Sequence, residues 1–191
     1  GLSLTMPLKR ELLALADDKA KQVVAYPDEV VTLDLARSSS IDIRSDRLPM
    51  PRIEGVDITG VIQYGINVDP ALAGAVIRNV RFVDGQEGPV KFENPAFIHT
   101  WGDELPRHKL LLQDNDFGRY VGAGYATTLY DVFDSIIENN QLRLGEGVNG
   151  GFHDKDNAQF NVYRQNYIEA PANSSNHAIQ ISAQYGSKGV H

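Results

Sequence analysis

The sequence predicts an all-β fold, a right-handed parallel β-helix of about six rungs, from three observations: a repeat, an alternation and a column of asparagines. Five segments share one pattern: Arg52 to Ile58, Val76 to Phe82, Leu111 to Phe117, Ile136 to Leu142 and Val162 to Ile168. Their fifth positions are Val56, Val80, Asn115, Asn140 and Asn166, spaced by 24, 35, 25 and 26 residues. Three residues before that position stand Ile53, Ile77, Leu112, Ile137 and Tyr163; two after it stand Ile58, Phe82, Phe117, Leu142 and Ile168. Both columns read as inward. The column holding Glu54, Arg78, Gln113, Glu138 and Arg164 is polar and reads as outward. Strand-length alternation inside a period near 25 fits a coil of short parallel strands, whereas helical repeats would need a 3.6-residue period.

Taken in order, the elements begin with a cap. Thr5, Pro7 and the spacing of Leu8, Leu12 and Leu15 predict a short capped amphipathic helix within residues 1–21, placed to plug one end of the coil. Gln22 to Leu35 supplies the first coil, with Tyr26 to Glu29 as its turn. The recurring segments follow, and Asn115, Asn140 and Asn166 are expected to bond side chain to side chain as a ladder, with rungs roughly 4.8 Å apart.

A second strand is expected after each turn: Ser39 to Ser45, Tyr64 to Asp69, Pro89 to Asn94, Ala126 to Asp131, Gly151 to Asp156 and Ala178 to Ser182. Alternation puts Ile41, Ile43, Ile66, Val68, Val90, Phe92, Ile179 and Ile181 inside. Asn67, Asp69, Lys91, Glu93, Thr128, Tyr130, His153, Lys155, Gln180 and Ser182 fall on an exposed outer face. Residues 95–108 lengthen one repeat and read as an inserted loop. The chain is expected to form one domain over residues 1–191, with an end near Ser182 open to end-to-end or oligomeric contact.

Bulk properties narrow the function. A 191-residue chain with 42% hydrophobic and 23% charged residues is an ordinary globular sequence. Its net charge of -7 argues against a nucleic-acid partner, and no run is long and apolar enough to suggest membrane insertion. The absence of cysteine excludes thiolate metal sites and a cysteine nucleophile. The start at Gly1 is expected of a sequence whose leader was removed or trimmed.

Three places carry candidate chemistry. His153 and Lys155, two apart on a strand, project from one face roughly 7 Å apart; an imidazole and a cation there suit proton abstraction next to a carboxylate. Tyr130 on the neighbouring rung is the candidate acid. Their plain alternative is a solvated polar face. Arg164 lies in a different column above Glu138, where a cross-rung ion pair is the simpler account. Asn67, Asp69 and Glu93 offer oxygen ligands for calcium, with Lys91 as a competing charge. Trp101 and His99 in residues 95–108, with Lys91 and Glu93 beside them, could bind a sugar by stacking and hydrogen bonding; the alternative is a loop folded onto the coil.

The opening Val23 to Asp34, then Ile53 to Ile58, then repeated strand-turn units with Asn at the turn resemble secreted right-handed β-helix proteins. Within these the sequence is closest in feel to polysaccharide lyase family 6, the alginate lyases and chondroitinase B, over Gln22 to the C-terminus. That resemblance implies a Lys base, an Arg one rung later and a calcium ion held by Asn and Glu. Lys155 stands where the base would be. The chain departs from the pattern elsewhere: no Glu-x-Glu precedes Lys155, and the next rung offers Gln180 and Ser182 where an Arg is wanted. The Asp-Pro-His motif of alginate epimerases is also absent. The expectation is therefore a secreted, periplasmic or surface polysaccharide-active protein, possessing lyase chemistry on a uronate polymer or, alternatively, a non-catalytic carbohydrate-binding, structural or adhesive module.

Overall fold

A computed structural model describes residues 2–4, 22–25, 29–35, 41–43, 52–61, 64–68, 74–83, 96–100, 109–156, 158–172 and 176–182. Every described element is a strand. Their order is β1 (Leu2–Leu4), β2 (Gln22–Val24), β3 (Val31–Asp34), β4 (Ile41–Ile43), β5 (Arg52–Glu54), β6 (Val56–Thr59), β7 (Tyr64–Val68), β8 (Gly74–Arg78), β9 (Arg81–Phe82) and β10 (Ala96–Thr100). The second half adds β11 (Lys109–Gln113), β12 (Asp116–Tyr120), β13 (Tyr125–Tyr130), β14 (Ile136–Glu138), β15 (Gln141–Leu144), β16 (Gly150–Lys155), β17 (Val162–Arg164), β18 (Tyr167–Glu169) and β19 (His177–Ser182).

From β2 onward, successive strands enter three parallel sheets in strict rotation. One sheet runs β2-β5-β8-β11-β14-β17, the next β1-β3-β6-β9-β12-β15-β18, and the third β4-β7-β10-β13-β16-β19. This is a parallel β-solenoid. Each strand pairs with the one a coil away, as in the register of Leu112 with Ile77 and Ile137. No helix is described, and none among the described residues is long and apolar enough to cross a membrane.

The inward columns are as read from the sequence. Ile53, Ile77, Leu112 and Ile137 form one buried row, and Ile58, Phe82, Phe117 and Leu142 another. An aromatic line runs through the core: Phe82 stacks on Phe117 at 5.5 Å, Phe117 meets Phe152 edge-on at 6.1 Å, and Phe152 meets Tyr163 at 5.7 Å.

The asparagine ladder is present. Asn115 Nδ2 donates to Asn140 Oδ1 at 2.9 Å, and Asn140 Nδ2 to Asn166 Oδ1 at 2.9 Å. Each amide also caps the coil before it, through Ile77, Leu112 and Ile137 carbonyls. These bonds satisfy backbone groups that the bend between two sheets would leave unpaired. The residue before each ladder position takes positive φ: Gly55, Asn79, Asp114, Asn139 and Gln165. Gly, Asn and Asp tolerate that region, so the same bend could have been read from this column too.

Two expectations change, and a third falls mostly outside the described residues. The strand between β7 and β13 is Ala96–Thr100 in place of Pro89 to Asn94, and it occupies part of the expected inserted loop. Pro89 to Asn94 alternates and Ala96–Thr100 opens on three apolar residues, yet Ala96–Thr100 sets Ile98 fully buried between Ile66 and Thr127. Loop length costs little, so spacing could not choose between them. Next, Ile179 and Ile181 keep the inward registers of Phe152 and Asp154 yet remain 41% and 56% exposed. They lie on β19, the last strand of its sheet. The expected cap over residues 1–21 falls mostly outside the described residues, and Leu2–Leu4 within it is a strand paired with Val31 to Leu33.

Candidate functional site

The outer face of the β4–β19 sheet brings the predicted catalytic residues together. Register aligns Tyr130 with Lys155 and Ser182, and Thr128 with His153 and Gln180. Lys155 Nζ donates to Tyr130 Oη at 2.8 Å and lies 4.7 Å from the centre of that ring. His153 Nε2 meets Ser182 Oγ at 2.7 Å. The Tyr125 ring covers the imidazole, with centroids 4.0 Å apart, and its hydroxyl donates to Gln180 Oε1.

This face is not open, which corrects the expectation of an exposed sheet. His153 is 4% and Lys155 6% exposed, Thr128 is buried, and Tyr125, Tyr130, Gln180 and Ser182 form a half-buried rim. Aromatic rings and long side chains from adjacent rungs lie across one another here and exclude solvent from the strand beneath. Gly150 makes this packing fit, and Gly151 lets β19 approach over the core side chains of Leu142 and Ile168. A Cβ on Gly150 would stand 2.3 Å from the His177 carbonyl oxygen and 3.1 Å from the Tyr125 ring; one on Gly151 would stand 2.7 Å from the Ala178 oxygen.

The electrostatics follow from that burial. The His153 pKa is pushed down to about 4, first by desolvation, then by the Lys155 and His177 charges. The ring is neutral near pH 7. Its Nδ1 is buried with no hydrogen-bond partner. An orphaned lone pair costs less than an orphaned N–H, so the proton belongs on Nε2, donated to Ser182 Oγ. Among the described residues no carboxylate lies within ion-pair distance of Lys155.

Asp154, between them, points the other way. It continues the inward column of Val68, Thr100 and Leu129 and is 3% exposed. Inside the coil it accepts from Asn161 Nδ2 at 2.9 Å and from the Tyr163 hydroxyl. Burial raises its pKa against the opposing effect of those two donors, and burial followed by the Asp154 charge raises that of Tyr163. Asp154 is therefore part of the core and does not flank a base on the outer face.

The other expected site residues lie on another part of the coil or outside the described residues. Asn67 is in register with Asp42 and His99. Asp69, Lys91, Glu93 and Trp101 lie outside the described residues, and of His99 only the backbone is described. No group of His, Asp and Glu among the described residues could hold a metal ion. Arg164 bonds Glu138 at 2.5 Å on the β2–β17 sheet, apart from Lys155, and Arg78 bonds Glu54 at 2.7 Å in the same style. Tyr125 is a residue of this face that the alternation does not mark; Gly150 is the available signal, since glycine in a strand marks a close approach.

Comparison with known proteins finds no matching family model, curated protein or solved structure. The parallel solenoid therefore rests on the chain's own strand pairing, and the resemblance to polysaccharide lyase family 6 gains no support from a family match.

Proposed function

We propose that this solenoid acts on a uronate-containing polysaccharide by β-elimination, with His153, Lys155 and Tyr130 as the reacting group. The observation that carries the reading is a neutral imidazole with an unpaired Nδ1 lone pair, set beside a lysine bonded to a tyrosine hydroxyl. In this reading the Lys155 ammonium offsets the uronate carboxylate and acidifies the C5 proton. His153 Nδ1 takes that proton, the C5–H electrons form the C4–C5 double bond, and the C4–O4 bond breaks. Tyr130 Oη delivers a proton to the leaving O4 and recovers one from solvent. Such a substrate places the protein outside the cytoplasm, in the periplasm, at the cell surface or secreted.

The burial of His153 and Lys155 favours a second reading, in which the face is a packed polar stack and the protein a non-catalytic carbohydrate-binding or structural module. Incubation with alginate, polygalacturonate and chondroitin, with and without calcium, separates the two by the absorbance of the unsaturated product. Elimination requires product from the wild type and a loss of about 100-fold or more in His153→Ala and Tyr130→Phe. Absence of product from every polymer would sink it. Titrating Trp101 fluorescence with oligosaccharides then tests the binding module.

A further inference from the structure

The β1–β18 sheet carries a local irregularity with a clear chemical consequence. In β12 the pairing with β15 slips between Asp116 and Arg119, where Gly118 is an extra residue at φ 60. Gly118 N–H is held by Asp116 Oδ1 at 2.9 Å. The slip lets Phe117 and Tyr120 both stay buried while Arg119 emerges on the outer face. Without the slip, unbroken register would set Arg119 opposite the buried Leu144, on the inward alternation. A bulge of this kind re-aims a side chain.

It aims Arg119 at another cation. Arg119 is in register with Arg143, on strands roughly 4.8 Å apart. Like charges placed directly across a sheet repel; on its other side Arg143 is in register with Glu169. Among the described residues Arg119 makes no ion pair, and Arg143 has only Asp116, at 3.9 Å. Tyr167 stands two residues from Glu169, the residue paired with Arg143, so it shares this outer face, and it is 61% exposed. Two guanidinium groups at rung spacing with an exposed aromatic ring beside them match a chain of sugar rings bearing closely spaced anionic groups. Arginine forks bind carboxylates in bidentate fashion, and aromatic rings stack on the apolar faces of sugars.

We propose that the outer face of β12, β15 and β18 binds an acidic polysaccharide, its carboxylates on Arg119 and Arg143 and a sugar ring on Tyr167. This shares the polymer class of the function proposed above, but none of its residues. The two therefore fail separately.

The test measures binding of the whole chain to polygalacturonate and to neutral dextran over a range of salt, for wild type, Arg119→Gln, Arg143→Gln, the double variant and Tyr167→Ala. Expected are salt-sensitive binding to polygalacturonate only, a loss of tenfold or more in the double variant, and a weaker loss in Tyr167→Ala. The thermal midpoint of Arg119→Gln should hold or rise, because its repulsion with Arg143 is gone and no ion pair among the described residues is lost; this separates a binding role from a structural one. Turnover of short oligouronates, where it occurs, should be unchanged by these substitutions. Undiminished binding by the double variant would overturn the proposal, as would equal binding to dextran. So would duplex DNA bound as tightly as the polysaccharide through the same arginines, which would make the strip a general anion site.

Discussion

His153 and Asp154 are adjacent in sequence and face opposite sides of one strand; burial disfavours the charged form of each, which lowers the pKa of the base and raises that of the acid. The folded His153 pKa of about 4 lies below its ordinary 6.5, so the folded chain binds fewer protons than the unfolded one between those values. Its contribution is fully present above pH 6.5 and is lost as the pH falls towards 4, an effect on the order of 3 kcal/mol. Asp154 has a raised pKa, so its burial costs stability at neutral pH and acid relieves that cost. Urea midpoints at pH 7 and pH 4 should show wild type weakened in acid. His153→Leu should lose that weakening or reverse it, because Asp154 then acts alone. If His153 is the base, the elimination rate should also rise through about pH 4 and be flat above it.

At the scale of elements, the bend between the β2–β17 and β1–β18 sheets depends on the middle ladder residue most. Asn140 Oδ1 accepts from Asn115 N and Nδ2, and Asn140 Nδ2 donates to Leu112 O and Asn166 Oδ1. Asn140→Ala strands several buried groups at once and should cost about 2–4 kcal/mol in urea unfolding. The exposed ion pair partner Arg164→Gln should cost less than about 1 kcal/mol. Gly150→Ala tests the third sheet: with a carbonyl 2.3 Å from the new Cβ, β19 must move away from β16. Limited proteolysis should then cut first near β19, while the β8–β15 region stays intact.

For the molecule as a whole, contacts run almost wholly between neighbouring coils, so stability is distributed along one dimension. The centre carries the fully buried Phe82, Phe117 and Phe152, whereas β17 to β19 expose Val162, Tyr167, Ile179 and Ile181. Amide hydrogen exchange should therefore be slowest in β11 to β16 and fastest in β17 to β19 among the described strands. Uniform protection along the chain would contradict this.

Much of the architecture was legible because inward residues recur at fixed positions: Ile53, Ile77, Leu112 and Ile137 declare one column by themselves, and the asparagines declare the bend. The coil period does this work, since a one-residue slip would send every apolar side chain outward. The third coil escaped such reading, because Val90-Lys91-Phe92 alternates cleanly whereas Phe97-Ile98-His99 sets two apolar residues side by side, and only pairing with Ile66 and Thr127 selects Ile98. The candidate site was half legible. Alternation set Tyr130, His153 and Lys155 on one face, but their burial arises from neighbours 25 or more residues away, as Tyr125 and Ser182 close over His153. Arg119 shows the same limit from the other side. Its outward position depends on an extra residue at Gly118, which alternation alone reads as out of phase. Which columns exist is a property of the chain's period; what each column touches is decided only when the coils stack.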